Sequence, residues 1–162
     1  MTPTPTPVPT PTPTPVPPPA DVAATLAWML ERTLTCTETD VAPASRTWTC
    51  TGSTPWPDGS VDTVTITIER NDRGATHLTA VLDARESAGK DMCPGLVCDG
   101  YTGFFSDTIA LAPITGNSGP AISQWIDSNP HAGRHGEFGQ ITVDYQPLLP
   151  IMTMTVDIAA GS

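Results

Sequence analysis

The sequence predicts an α+β domain, in which a single antiparallel sheet of about five strands carries two or three helices packed on one face. Two observations predict this class. Apolar residues recur at helical spacing in three segments, and five other segments alternate apolar and polar residues with period two. The order along the chain is α-β-β-β-α-α-β-β. One sheet with every helix on its apolar face buries all of these stripes.

The chain opens with a proline-rich segment over residues 1–19. Residues 2–9 read TPTPTPVP, and residues 10–17 repeat the same eight letters. Proline fixes φ and lacks a backbone donor, and the segment has almost nothing to bury. We therefore expect an extended polyproline II tether of about 3.1 Å per residue, roughly 55 Å in all. The predicted folding unit is a single globular domain over residues 20–162.

Three helices are predicted from apolar stripes at helical spacing. The first covers 21–34, with Asp21 as its N-cap after the prolines. The second covers 103–112, and the third covers 119–129 and is opened by Pro120. Their apolar stripes consist of Val22, Leu26, Met29 and Leu30, then Phe105, Ile109 and Ala112, then Ile122, Trp125 and Ile126.

Five strands are predicted from strict alternation, each with an apolar face and a polar face. They cover 46–51, 61–69, 76–86, 140–145 and 151–158. The run Asn71-Asp72-Arg73-Gly74 predicts a hairpin turn between the second and third strands. Pro147 and Pro150 separate the last two strands.

Threonine dominates the polar face of these strands. T-x-T motifs recur in three of them, and the candidate contact residues are Thr47, Thr49, Thr63, Thr65, Thr67, Thr153 and Thr155. A flat surface of hydroxyls and methyls could bind a glycan or a crystalline polymer, or could simply be solvated, because threonine suits an exposed strand. Such arrays resemble the binding faces of some ice-binding proteins, which implies ice as a further ligand. Those proteins carry the motif in regular sequence repeats, whereas the T-x-T motifs of this chain do not recur at a constant spacing.

The chain has four cysteines, Cys36, Cys50, Cys93 and Cys98. An even count beside a Thr-Pro tether favours an oxidising compartment. We predict the local pairs Cys36–Cys50 and Cys93–Cys98, with the two other connectivities left open. A four-thiolate zinc site is the alternative, but structural zinc sites usually have a C-x₂₋₄-C spacing at both ends.

The charge balance limits the partners. Seventeen Asp and Glu face seven Lys and Arg, for a formal net charge of −10. Without clustered basic residues we expect no nucleic-acid partner. No apolar run reaches transmembrane length, so no direct membrane insertion is expected in this segment. We expect an extracellular or cell-surface location, with a targeting segment that is not in this chain.

Two segments contain residue types that occur in metal sites or in catalytic centres. His131, His135 and Glu137 offer a zinc-binding set, but an H-x₃-H pair works best on a helix, and the neighbouring proline and glycines favour a solvated loop. We therefore expect no metal and no cofactor. The run Gly116-Asn117-Ser118-Gly119-Pro120 looks like the nucleophile motif of trypsin-like serine proteases. It has Asn in place of Asp and lacks a glycine, so we predict a turn in which Ser118 or Gly119 caps the third helix.

The predicted function is that of a non-enzymatic surface or secreted module that binds a protein or glycan partner. Contacts would come either from the threonine side of the sheet or from the loops around Cys93–Cys98. Trp56, between two prolines, is either an exposed aromatic contact or a lid on the core. One alternative is an inhibitor or accessory domain of an extracellular enzyme, since the layout loosely resembles that of beta-lactamase inhibitory proteins, without a motif match. The other is a small metal-dependent hydrolase that uses His131, His135 and Glu137.

Overall fold

The computed structural model describes residues 17–55, 59–85 and 99–161, and these form a mixed α+β fold with one antiparallel sheet and three helices. The helices are α1 (Ala20–Glu31), α2 (Asp99–Gly103) and α3 (Gly119–Ser128). Helix α2 continues as a π-helical segment, Phe104–Ile109, and a 3₁₀ segment, Pro113–Ser118, precedes α3. The strands are β1 (Thr35–Ala42), β2 (Ser45–Pro55), β3 (Val61–Asn71), β4 (Thr76–Asp83), β5 (Arg134–Phe138), β6 (Ile141–Gln146) and β7 (Ile151–Ile158).

The sheet joins two meanders. Its strand order is β1-β2-β3-β4-β7-β6-β5, and every neighbouring pair is antiparallel. Strands β1 to β4 form the first meander and β5 to β7 form the second, and they meet where β4 pairs with β7. The segment between β4 and β5 contains α2 and α3, which return over one face of the sheet.

The core lies between the helices and this covered face. The largest fully buried side chains are Tyr145, Phe105, Met29, Ile66, Ile68, Leu78, Ile109, Ile122, Ile126, Met152, Met154 and Val22. Phe105 meets Tyr145 edge to face at 5.5 Å between ring centroids. Trp125 of α3 packs edge to face on Phe138 of β5 at 5.6 Å. It also lies so close to Gly136 that an added Cβ would be 3.0 Å from its ring.

The predicted number of strands was wrong, because the sheet has seven strands instead of about five. The two strands that were not predicted, β1 and β5, are its two edges. Strand β1 is almost wholly exposed, so it has no buried apolar face and no apolar alternation. Strand β5 has only five residues and contains Gly136. The predicted loop over 131–137 accordingly ends at Gly133, and Arg134–Phe138 pair with β6.

The predicted first helix ends early. It was expected over 21–34, but α1 ends at Glu31 and Thr33 adopts a φ of 64°. Asp21 does not cap this helix. Pro19 holds the N-cap position, and Asp21 lies in the first turn, where its carboxylate pairs with Arg70 of β3.

The predicted hairpin turn is present between β3 and β4. Gly74 has a φ of 88°, which glycine adopts without steric cost, and its N–H donates to the Asn71 carbonyl at 3.0 Å. The Asn71 side-chain oxygen accepts from the backbone N–H groups of Arg73 and Ala75, each at 3.0 Å. This closed turn fixes how β3 and β4 are aligned.

The segment that looked like a protease motif leads into a helix. Pro120 lies in the first turn of α3, as predicted, and Ser118 occupies the N-cap position. The Ser118 hydroxyl makes no capping bond and instead donates to the Phe138 carbonyl at 3.4 Å. Ser118 thus links the start of α3 to β5.

The predicted Cys36–Cys50 disulfide is present. The two cysteines are direct cross-strand partners on β1 and β2, and Cys50 is fully buried. Three predictions concern residues outside the described ranges: the Cys93–Cys98 disulfide, the role of Trp56 and the extended segment over residues 1–16. They remain predictions.

Removing this disulfide should destabilise the fold. We expect the Cys36→Ala/Cys50→Ala double variant to lose about 3 kcal/mol in free energy of unfolding, because the bond closes a loop of about 15 residues. Equilibrium urea unfolding measures this loss. Thr37→Ala/Thr49→Ala removes the adjacent cross-strand pair of the same strands and should cost less. A double cysteine variant as stable as the unchanged protein would contradict the prediction.

Candidate functional site

The sheet surface opposite the helices, here called the threonine face, carries aligned threonines. Cross-strand pairing places one threonine from each of five neighbouring strands in a single line, the first row. Its members are Thr37, Thr49, Thr67, Thr79 and Thr155. Neighbouring strands lie about 4.8 Å apart, so the row is about 19 Å long and runs perpendicular to the strands.

A second row lies two residues further along each strand. Its members, in the same strand order, are Thr35, Thr51, Thr65, Val81 and Thr153. Two residues of extended strand advance about 6.8 Å, which is the separation of the two rows. Together the rows form an uncharged patch of nine threonines and one valine.

Most of the predicted contact threonines belong to these rows. Thr49, Thr65, Thr67, Thr153 and Thr155 are members, whereas Thr47 and Thr63 lie on the same face just outside them.

Thr35 and Thr37 were missed because β1 was not recognised as a strand, although their T-x-T spacing repeats the pattern seen elsewhere. Among the described residues, Thr49 and Thr79 are the row members whose hydroxyls meet another side chain, Thr39 and His77 respectively. The remaining hydroxyls face solvent.

A charged row borders the first row on its other side. It consists of Thr47, Glu69, His77, Asp157, Thr142 and Glu137 on β2, β3, β4, β7, β6 and β5. The first row itself continues past Thr155 into Asp144 of β6 and His135 of β5. The patch is therefore uncharged at its centre and acidic along one side and at one end.

The strand arginines lie on the opposite side of the sheet. Arg46 stacks on Trp48, 4.9 Å from the ring centroid, and Arg134 stacks on Trp125 at 4.4 Å. Arg70 pairs with Asp21 of α1. Within the described strands, the threonine face thus has carboxylates and imidazoles but neither lysine nor arginine.

His77 links the charged row to the first row. Its Nδ1 lies 2.6 Å from Asp157 Oδ1, and its Nε2 lies 3.0 Å from Thr79 Oγ1. This hydroxyl–imidazole–carboxylate chain has the connectivity of an activated nucleophile. However, β4 is an interior strand paired on both sides, so its backbone N–H groups are engaged in the ladders and cannot stabilise an oxyanion. The chain is suited to orienting the Thr79 hydroxyl.

His135 forms a second imidazole–carboxylate pair. Its Nδ1 lies 2.9 Å from Asp144 Oδ1, and its Nε2 lies 3.9 Å from Glu137 Oε1. The hydrogen bond and the charge of Asp144 raise the pKa of His135 above its ordinary value. The third member of the predicted zinc set, His131, lies in the turn before β5. Within the described ranges, no group of three or more His, Cys, Asp or Glu side chains could hold a metal ion.

Comparison with known proteins identified no similar protein. No protein-family model matches the chain, and neither curated proteins nor solved structures gave a match. In the described part of the chain, no helix is both long enough and apolar enough to cross a membrane. Function must therefore be inferred from the geometry of the threonine face.

The Asp144 carboxylate should control the titration of His135. We expect Asp144→Asn to lower the pKa of His135 towards its ordinary value of about 6.5, because both the acceptor and its charge are weakened. Folding raises the pKa of His135, so the pair with Asp144 stabilises the folded state fully at pH values below the pKa of the unfolded chain. This stabilisation is lost as the pH rises through the raised pKa of the folded state. Asp144→Asn should therefore destabilise the protein more at pH 5.5 than at pH 8.5.

An NMR titration of the histidine rings, with unfolding measured at both pH values, checks this prediction. The control is Asp127→Asn on the exposed side of α3, which should leave the His135 titration unchanged. A His135 pKa that is the same with and without the Asp144 carboxylate would contradict it.

Proposed function

We propose that this protein is a non-enzymatic surface or secreted module that binds a glycan through its threonine face and is displayed on its N-terminal Thr-Pro segment. The observation that supports this function is the alignment of nine threonines in two cross-strand rows. An alternating strand needs polar residues on its solvated side, but it does not need the same residue at each aligned position.

The chemistry of the rows suits a polyhydroxylated polymer. Each threonine offers a hydroxyl that can donate and accept, together with a methyl that can cover the apolar C–H face of a sugar ring. Small ligands are usually held in concave pockets, whereas this patch is an open sheet surface. A flat array of this kind fits an extended ligand that makes many weak contacts.

Rigidity favours binding by such a surface. The β-branched threonine side chain has few accessible rotamers, and four of the five strands that carry the rows are paired on both sides. Little conformational entropy is then lost when the surface is covered, so weak individual contacts can sum to useful affinity.

A binding role is favoured over catalysis by the surroundings of Thr79. The hydroxyl–imidazole–carboxylate chain lies on an interior strand whose N–H groups are all paired, and His77 and Asp157 are 44% and 55% exposed. Acyl transfer needs unpaired donors and exclusion of water at the reacting centre. An extracellular location is supported by the Cys36–Cys50 disulfide, because such bonds persist in oxidising compartments.

Removing hydroxyls from the centre of the patch should weaken binding. The Thr65→Val/Thr67→Val variant keeps the shape of both side chains on β3 but removes one hydroxyl from each row. Loss of two hydrogen bonds should weaken binding about tenfold or more. Retention on insoluble polysaccharides such as chitin and cellulose, followed by calorimetry with soluble oligosaccharides, measures the effect.

Thr54→Val is the matched control, because Thr54 is exposed on β2 but points to the other side of the sheet. Binding that is as tight in the β3 double variant as in the unchanged protein, or no retention on any polysaccharide, would contradict the proposal. So would a stable dimer that the double variant disrupts, or retention on ice alone, since the threonine face would then have a different occupant.

A further inference from the structure

We infer that the glycan is an unbranched amino-sugar polymer with free amines, lying across the strands along the threonine rows with its amines beside the charged row. This inference rests on the proposed function and adds two properties of the ligand, its direction and its charge.

The direction follows from the shape of the patch. A polymer that runs perpendicular to the strands meets one threonine on each of five strands, from Thr37 to Thr155, over about 19 Å. A polymer that runs along a strand would meet only the two rows and would leave the patch after about 6.8 Å. The long axis therefore favours an extended, unbranched chain, because such a chain can place successive sugar units on successive threonines of the row.

The charge follows from the borders of the patch. Glu69, Asp157 and Glu137 lie in the charged row, and Asp144 lies at the end of the first row. The spacing of the rows, about 6.8 Å, is shorter than the Debye length of about 10 Å in 0.1 M salt, so the charged row acts on a ligand held by the first row.

Because the strand arginines lie on the helix side, the basic groups described at this face are two histidines beside carboxylates and Arg85, which follows β4 and pairs with Asp83. The face therefore offers little to attract a uronic acid. The chain as a whole has a formal charge of −10, which also repels acidic polysaccharides. Ammonium groups on the sugar complement this border, and the polymer hydroxyls complement the rows.

The test compares two oligosaccharides with the same backbone. The probes are β-1,4-linked glucosamine oligomers and their fully N-acetylated counterparts, which differ in charge but not in linkage. At low salt the free amines should bind about tenfold more tightly, as expected for two or three exposed ion pairs, and the difference should close at high salt. Affinity should also rise with length up to about four sugar units, the length of the first row.

One double variant and its control test whether the preference for free amines comes from the carboxylates of the charged row. Glu69→Gln/Glu137→Gln neutralises two exposed residues of the charged row and should remove most of the preference for free amines. The control, Glu31→Gln/Asp72→Asn, changes the net charge equally at exposed positions in α1 and in the β3–β4 turn. It should keep the preference.

The outcomes separate this inference from the proposed function. Equal binding of both oligomers that is lost in Thr65→Val/Thr67→Val would overturn the charge assignment and leave glycan binding intact. Binding of neither oligomer would overturn both. Binding of glucosamine oligomers that polylysine displaces fully, and that the threonine double variant does not weaken, would overturn the inference, because it would be generic attraction to a polyanion.

Discussion

The register of the antiparallel sheet determines both the core and the threonine face. Side chains alternate along every strand, so a slip of one residue in β3 would move Ile66 and Ile68 to solvent and turn Thr67 into the core. Burial of the apolar face therefore keeps the threonines on the outside. The Cys36–Cys50 bond and the closed turn at Asn71–Gly74 further fix the pairing of β1 with β2 and of β3 with β4.

The alternation of side chains along the strands also places the strand arginines and several carboxylates on opposite sides of the sheet. Arg46, Arg70 and Arg134 all share the side of the sheet that the helices cover, where two stack on tryptophan rings and one pairs with an aspartate of α1. Arg70 and Arg134 thus link α1 and α3 to the sheet, whereas Arg46 stacks on Trp48 of its own strand. On the threonine face, Asp157 lies beside His77, and Asp144 and Glu137 lie beside His135. The face keeps an acidic border that also includes Glu69.

Periodicity in the sequence predicted the strands that bury one face and failed for those that do not. The five interior strands have buried apolar residues alternating with polar ones in their central parts. The edge strand β1 is exposed along most of its length, and the five residues of β5 include none that is fully buried. The threonine motifs could be read from the sequence, but their alignment could not. It depends on the pairing of β4 with β7, in which Thr79 meets a residue 76 positions away, Thr155. The partners His77 and Asp157 come together through the same long-range pairing.

Protonation of His135 links the charge at the end of the first row to pH. Asp144 raises the pKa of His135, so an imidazolium compensates this carboxylate over a wider pH range than an isolated histidine would. Where His135 is protonated, the end of the first row is less acidic than its residue count suggests. The attraction for a cationic ligand must come mainly from the charged row, where Glu69 lies on the interior strand β3 beside the first row. Strand β3 lies in the interior of the sheet, where pairing with β2 and β4 fixes its register. The hydroxyl of Thr67 and the carboxylate of Glu69 on this strand can therefore act on the same ligand.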